Sequence, residues 1–191
     1  MSSITRKEFK FKVVLLGEGC VGKSSLVLRF VENKFSTRHL STIQASFQNK
    51  TVQVDDCKAE LHIWDTAGQE KYHALGPIYY RGSNGVKNWV LEIKTCLGKT
   101  AEILIVGNKI DLDDERQVSR QEAESYAESE GALYMETSAQ ENRGISEAFT
   151  ALTEKMIQHS RTATAEAPLS NRSIRLIDEE PLEESRRKKC C

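Results

Sequence analysis

Strand-length apolar runs alternate with helix-patterned stretches through most of this 191-residue chain. That alternation predicts an α/β fold, a doubly wound domain around a mostly parallel sheet with one antiparallel strand. Two further observations support it. A glycine-rich loop, Gly17 to Ser24, stands between the first apolar run and the first helix pattern. Two β-rich runs, Ile43 to Val54 and Lys58 to Trp64, flank Asp55-Asp56 and read as an antiparallel hairpin. The length suits one domain over residues 1–160 and a tail over 161–191.

Phe11 to Leu16 (F-K-V-V-L-L) has the composition of a buried parallel strand, and Ser25 to Phe30 opens a helix behind the loop. Asn33 to Thr42 is polar and broken, as expected of a mobile connection. Ile103 to Gly107 predicts a strand ending in N-K-I-D. Ser119 to Glu130 predicts a helix, because Ser119 and Glu122 have capping-box spacing. Leu133 to Thr137 predicts another parallel strand. The last helix, Gly144 to His159, places Ile145, Phe149, Leu152 and Met156 on one face. From Ser160 onward apolar residues thin out, which predicts a disordered C-terminal tail.

The loop carries the chemistry. G-E-G-C-V-G-K-S fits G-x-x-x-x-G-K-[ST] at every defined position, between a strand and a helix start. Gly17, Gly19 and Gly22 are expected to let successive backbone N–H groups face phosphate oxygens, beside the partial positive charge of a helix N-terminus. Lys23 would reach the outer phosphates and the Ser24 hydroxyl would take a position on Mg²⁺. This is a P-loop NTPase-type arrangement. Asp65 follows a strand, as a Walker-B carboxylate holding the same ion does. Gly68 would offer an N–H to a γ-phosphate, and Gln69 could orient an attacking water. Asn108 and Asp111 lie at a strand end, where a carboxylate can accept from guanine N1–H and the 2-amine, a pair that adenine lacks. That set opposes an ATP-using kinase.

Composition limits the alternatives. There are 27 basic and 28 acidic residues, so bulk charge gives no reason to expect a nucleic-acid partner. The five cysteines show no metal or C-x-x-C spacing, which predicts reduced thiols in a cytosolic protein. No signal-peptide h-region precedes the first strand, and no apolar run is long enough to cross a bilayer.

Taken together, G-E-G-C-V-G-K-S, T-I-Q-A-S-F, W-D-T-A-G-Q-E, N-K-I-D and E-T-S-A resemble a Ras-superfamily small GTPase. Y-Y-R-G and the terminal Cys-Cys resemble its Rab branch, and the wording of the loop and of Q-A-S-F is similar to the early-endosomal group. The resemblance spans Lys10 to about Ser160 and implies a GTP/GDP switch that hydrolyses GTP slowly without a GAP. It implies nucleotide contacts from Gly17, Gly19, Cys20, Val21, Gly22, Lys23, Ser24 and Ser25. Further contacts would come from Phe35 stacking on guanine, Thr42, Gly68, Asn108, Lys109, Asp111, Ser138, Ala139 and Gln140. Gln140 stands where the family more often has Lys. Mg²⁺ would be held by Ser24, Thr42 and Asp65, with Gln69 as the catalytic residue. Phe47, Trp64 and Tyr79 would form the aromatic patch that effectors read; core packing is the alternative for those three. The implied partners are effectors, an exchange factor, a GAP and a GDP-dissociation inhibitor or prenylation escort. Cys190 and Cys191 would be geranylgeranylated, placing the chain on the cytoplasmic face of an early-endosomal membrane with a cytosolic pool. Two lipid chains are what stable anchoring requires. Arg186 to Lys189 would assist on an anionic leaflet, against the carboxylates of Asp178 to Glu184.

The chain departs from the family pattern once. After Tyr79 to Gly85, Val86 to Lys94 already reads as a helix, so about fifteen residues, one strand and its turn, are missing. In the family that strand lies inside the sheet, between the strand before the phosphate loop and Ile103 to Val106. Each fully buried apolar side chain contributes about 1.5–3 kcal/mol, against about 5–15 kcal/mol for a whole domain. The loss therefore predicts an unstable chain or weak nucleotide binding. It also gives an alternative function: a silent isoform acting only as an interaction protein.

Overall fold

A computed structural model of the chain describes residues 7–37, 42, 44–66 and 85–166. The first strand, β1 (Lys7–Leu15), alternates. Phe9, Phe11, Val13 and Leu15 turn toward the core, while Lys10, Lys12 and Val14 turn away. This corrects the fully buried strand expected from Phe11 to Leu16. Val14 is 43% exposed and Leu16 36%, because among the described residues β1 is paired on one edge alone.

β2 (Ser46–Val54) and β3 (Cys57–Asp65) form the predicted hairpin around Asp55-Asp56. Asp55 takes φ 48°, a left-handed turn conformation that Asp tolerates. β3 is the central strand, parallel to β1 and antiparallel to β2. Its inward residues Cys57, Ala59, Leu61, Ile63 and Asp65 are all buried.

β4 (Leu104–Asn108) and β5 (Leu133–Thr137) pair in parallel as a separate two-stranded sheet. Among the described residues no strand joins β4 to β1. The β1 and β4 edges are not paired with each other among the described residues, and every residue of β4 is only half-buried.

Among the described residues there are four α-helices: α1 (Lys23–Glu32), α2 (Gly85–Leu97), α3 (Arg120–Ser129) and α4 (Ile145–Glu166). Ser119 caps α3, its Oγ accepting from Glu122 N–H at 3.2 Å. The last helix continues beyond His159 to Glu166, past the expected start of the tail. Along it Ile145, Phe149, Leu152 and Ile157 are buried. Phe30 of α1 stacks on Phe149 of α4, with centroids 3.9 Å apart. The core lies between this helix pair and the inner face of the three-stranded sheet. α4 also touches β4 and β5, so it links the two sheets across the gap. α2 buries Val90, leaves Leu91 and Leu97 exposed, and is tied to the end of α3 by a Lys94–Glu130 ion pair. No described helix is long and apolar enough to cross a membrane.

Candidate nucleotide site

The loop between β1 and α1 turns through Gly19-Cys20 and ends at Gly22, which precedes the helix with φ 96°. A Cβ on Gly22 would lie 2.5 Å from Asn108 Nδ2, so neither the backbone angle nor the space admits a side chain. Gly17 also takes a positive φ, 144°. Gly19 does not; the left-handed turn falls on Cys20 at φ 64°. The expectation that Gly19 supplies that conformation is therefore corrected.

Lys23 is 7% exposed, and its Nζ donates to Gly17 O at 2.8 Å and Glu18 O at 2.9 Å. The ammonium is thus held under the loop, on the side its carbonyls face. Burial lowers its pKa, opposed by the nearby Asp65 and Cys20. Ser24 begins the exposed side of the same turn. Its hydroxyl donates to Asp65 Oδ2 at 2.5 Å, and Thr42 Oγ1 lies 2.7 Å from it. Since the one Ser24 proton goes to Asp65, Thr42 is the donor in the second bond.

Asp65, at the end of β3, is 4% exposed. Burial raises its pKa, opposed by the Ser24 hydrogen bond and by Lys23. Its Oδ1 is buried without a hydrogen-bond partner among the described residues. Two hydroxyls and a carboxylate with an unused buried oxygen form a donor set of oxygen alone, which suits a hard divalent cation such as Mg²⁺.

The N-K-I-D segment reaches this loop from the second sheet. Asn108 Nδ2 donates to Val21 O at 2.9 Å, and Asn108 Oδ1 accepts from Thr137 Oγ1 at 3.0 Å. One amide therefore joins the glycine loop, β4 and β5. Lys109 takes φ 68°, and its side chain passes Gly22. Asp111 accepts from Ser138 Oγ at 2.5 Å, and Ser138 Oγ accepts from Glu141 N–H at 3.0 Å. Ser138 is fully buried and Ala139 4% exposed, so this loop is a fixed wall.

Arg29 belongs to the site although no sequence motif marks it. From α1 its Nε donates to Ala139 O at 2.9 Å and its Nη2 to Gln140 O at 3.1 Å. The same guanidinium lies 5.8 Å from the Phe35 ring centroid. A mid-helix arginine two positions after an S-L-V run looks like an ordinary solvated charge; only the tertiary fold brings it to Ala139.

Phe47 and Trp64 face outward, 47% and 38% exposed, with ring centroids 5.3 Å apart. Core packing is excluded for both. His62 meets Phe47 edge-on and Lys12 lies over Trp64, so the aromatic pair sits on the outer face of the three-stranded sheet. Gly68, Gln69, Tyr79, Cys190 and Cys191 lie outside the described residues.

Known proteins resemble this chain along most of its length. The sequence model described as "Ras family" matches residues 12–86 and 84–158. The two matches meet at residues 84–86, where the sequence departs from the family pattern. "Ras-related protein Rab-21" of Rattus norvegicus is 49% identical over 207 aligned residues, covering 97% of this chain and 93% of that protein. The Homo sapiens protein of that name is 48% identical over 207, covering 97% and 92%. That of Dictyostelium discoideum is 46% identical over 195, covering 91% and 92%. An alignment of 207 positions exceeds the 191 residues available, so the rat and human proteins carry residues with no counterpart here. The chain belongs to the Ras family, in its Rab branch, a family of GTPases that convert GTP to GDP and phosphate.

Proposed function

We propose that this chain is a guanine-nucleotide switch of early-endosomal membrane traffic, with the nucleotide seated on Gly17 to Ser25. The observation that carries the reading is the Ser24–Thr42–Asp65 oxygen cluster, with its unused Asp65 Oδ1, beside a loop locked to N-K-I-D through Asn108. Mg²⁺ bound by Ser24, Thr42 and Asp65 would neutralise phosphate charge. Lys23 would exchange its bonds to Gly17 O and Glu18 O for outer phosphate oxygens. Asp111 would accept from the guanine N1–H and 2-amine, Ser138 to Gln140 would face O6, and Phe35 would lie against the ring. Gln69 would orient the attacking water, and Gly68 N–H would sense the γ-phosphate. Phe47, Trp64 and Tyr79 would present the effector patch, and Cys190 and Cys191 the lipid anchor. Partners of the Rab type would follow: effectors, an exchange factor, a GAP and a GDP-dissociation inhibitor or escort.

The separate sheets favour a second reading. A chain whose β1 and β4 edges are unjoined among the described residues holds its two halves through α4 and a few loop bonds, Asn108–Val21 among them. Such a chain would bind nucleotide weakly and act through its surface alone. Turnover of radiolabelled GTP separates the two. The switch reading expects slow release of phosphate that Gln69→Leu abolishes; release unaffected by Gln69→Leu, or none at all, supports the silent isoform.

A further inference from the structure

We propose that Arg29 is a positioning residue for guanine recognition, acting through the peptide planes of Ala139–Gln140 and Gln140–Glu141. The inference rests on reading Ser138 to Gln140 as the base-binding loop. In a trans peptide the carbonyl and the following N–H point in opposite directions within one rigid plane. Arg29 draws the Ala139 and Gln140 carbonyls toward α1, at 2.9 and 3.1 Å. The N–H groups of Gln140 and Glu141 are thereby turned the other way. Glu141 N–H meets Ser138 Oγ, which donates in turn to Asp111 Oδ1 at 2.5 Å. One guanidinium thus sets, through two relays, both an N–H aimed away from α1 and the carboxylate that reads guanine.

The same group fixes the opposite side of the base site. Arg29 Nη1 donates to Asn33 O at 3.1 Å, and the guanidinium faces the Phe35 ring. Asn33 caps α1 in the left-handed conformation, and Asn142 Nδ2 reaches its side-chain oxygen at 3.3 Å. Phe35 is therefore delivered by a turn that Arg29 ties to the base loop. A lysine would keep the charge near Phe35 but cannot serve three carbonyls at fixed angles.

The test measures GDP and inosine diphosphate binding to the full chain and to Arg29→Ala, Arg29→Lys and Asp111→Ala. Inosine diphosphate keeps O6 but lacks the 2-amine that Asp111 reads. Arg29→Ala is expected to weaken GDP about tenfold, as loss of charge-assisted hydrogen bonds does. It should also shrink the preference for GDP over inosine diphosphate by roughly threefold, with Arg29→Lys between the two. Equal weakening of both nucleotides, or none, would show a merely structural arginine and overturn the proposal. A preference untouched by Asp111→Ala would instead overturn the base-site reading beneath it. Amide hydrogen exchange of the nucleotide-free chain gives a second readout. Faster exchange at Glu141 in Arg29→Ala, with β5 unchanged, supports the relay; unchanged exchange at Glu141 contradicts it.

Discussion

Ser24 Oγ donates a 2.5 Å hydrogen bond to Asp65 Oδ2, joining residues 41 positions apart at the foot of the glycine loop. The bond places the helix start against the end of the central strand. It satisfies one carboxylate oxygen and leaves the other buried and unused. A cation there would meet a site already assembled.

Asp65 is a cost to the ligand-free chain at neutral pH. Burial raises its pKa, so the folded state holds the proton more tightly than the unfolded chain does. Its contribution to stability is present below the ordinary carboxylate range and is lost as pH rises through its own raised value. In EDTA, Asp65→Asn should raise the melting temperature at pH 7 by roughly a few degrees and flatten that acid-side fall. In excess Mg²⁺ and GDP the order should reverse, because the variant loses the ion. Differential scanning fluorimetry in both buffers checks it.

Gly22 faces Asn108 with no room for a methyl group and with a positive φ. Gly22→Ala should cost about 1–3 kcal/mol of stability. It should also remove nucleotide binding by pushing the N-K-I-D segment away. Urea denaturation and mant-GDP titration of the same preparation would check both. Gly131, where a Cβ meets nothing within 4 Å, is a control for glycine loss alone. Its φ of 65° confines the comparison to backbone strain.

The break between β1 and β4 predicts low stability. Val14 and Leu16 expose apolar surface beside an edge that this fold class buries. Inserting after Gly85 a strand and turn of about fifteen residues, as the family pattern has there, should join the sheets. The expected outcome is a melting temperature raised by about ten degrees or more, the scale of several buried side chains, with tighter GDP binding. An insertion that leaves both unchanged would show that the shorter chain has compensated.

Trp64 lies on the outer face and is 38% exposed, so Trp64→Ala should change stability by about 1 kcal/mol or less. Binding of an effector purified on a Rab-21 relative in its GTP form should nevertheless be lost. Calorimetry alongside a thermal melt distinguishes this from unfolding.

What the sequence made legible was whatever is set locally. The Gly17–Ser24 loop, the turn at Asp55-Asp56, the Ser119 cap and the β5 limits each follow from residues within a few positions of one another. Asp65 and Asp111 could be placed because motif spacing ties them to strand ends. Arg29 could not, since the base-loop carbonyls it holds, those of Ala139 and Gln140, lie 110 and 111 positions away and no periodicity marks it. The exposed outer face of β1 is illegible for a related reason: an apolar run shows hydrophobicity, but its second face is covered only if a neighbouring strand exists. Cys20 rather than Gly19 takes the left-handed turn, because composition shows that a loop is permissive and does not show which residue bends.

The most direct test is competition against mant-GDP on the purified chain, by GDP and by ADP, in Mg²⁺. If the glycine loop, the Asp65 cluster and Asp111 act together, GDP displaces the probe and millimolar ADP leaves it bound. Displacement by ADP as well as by GDP, or no probe binding even with a strand inserted after Gly85, would contradict the account.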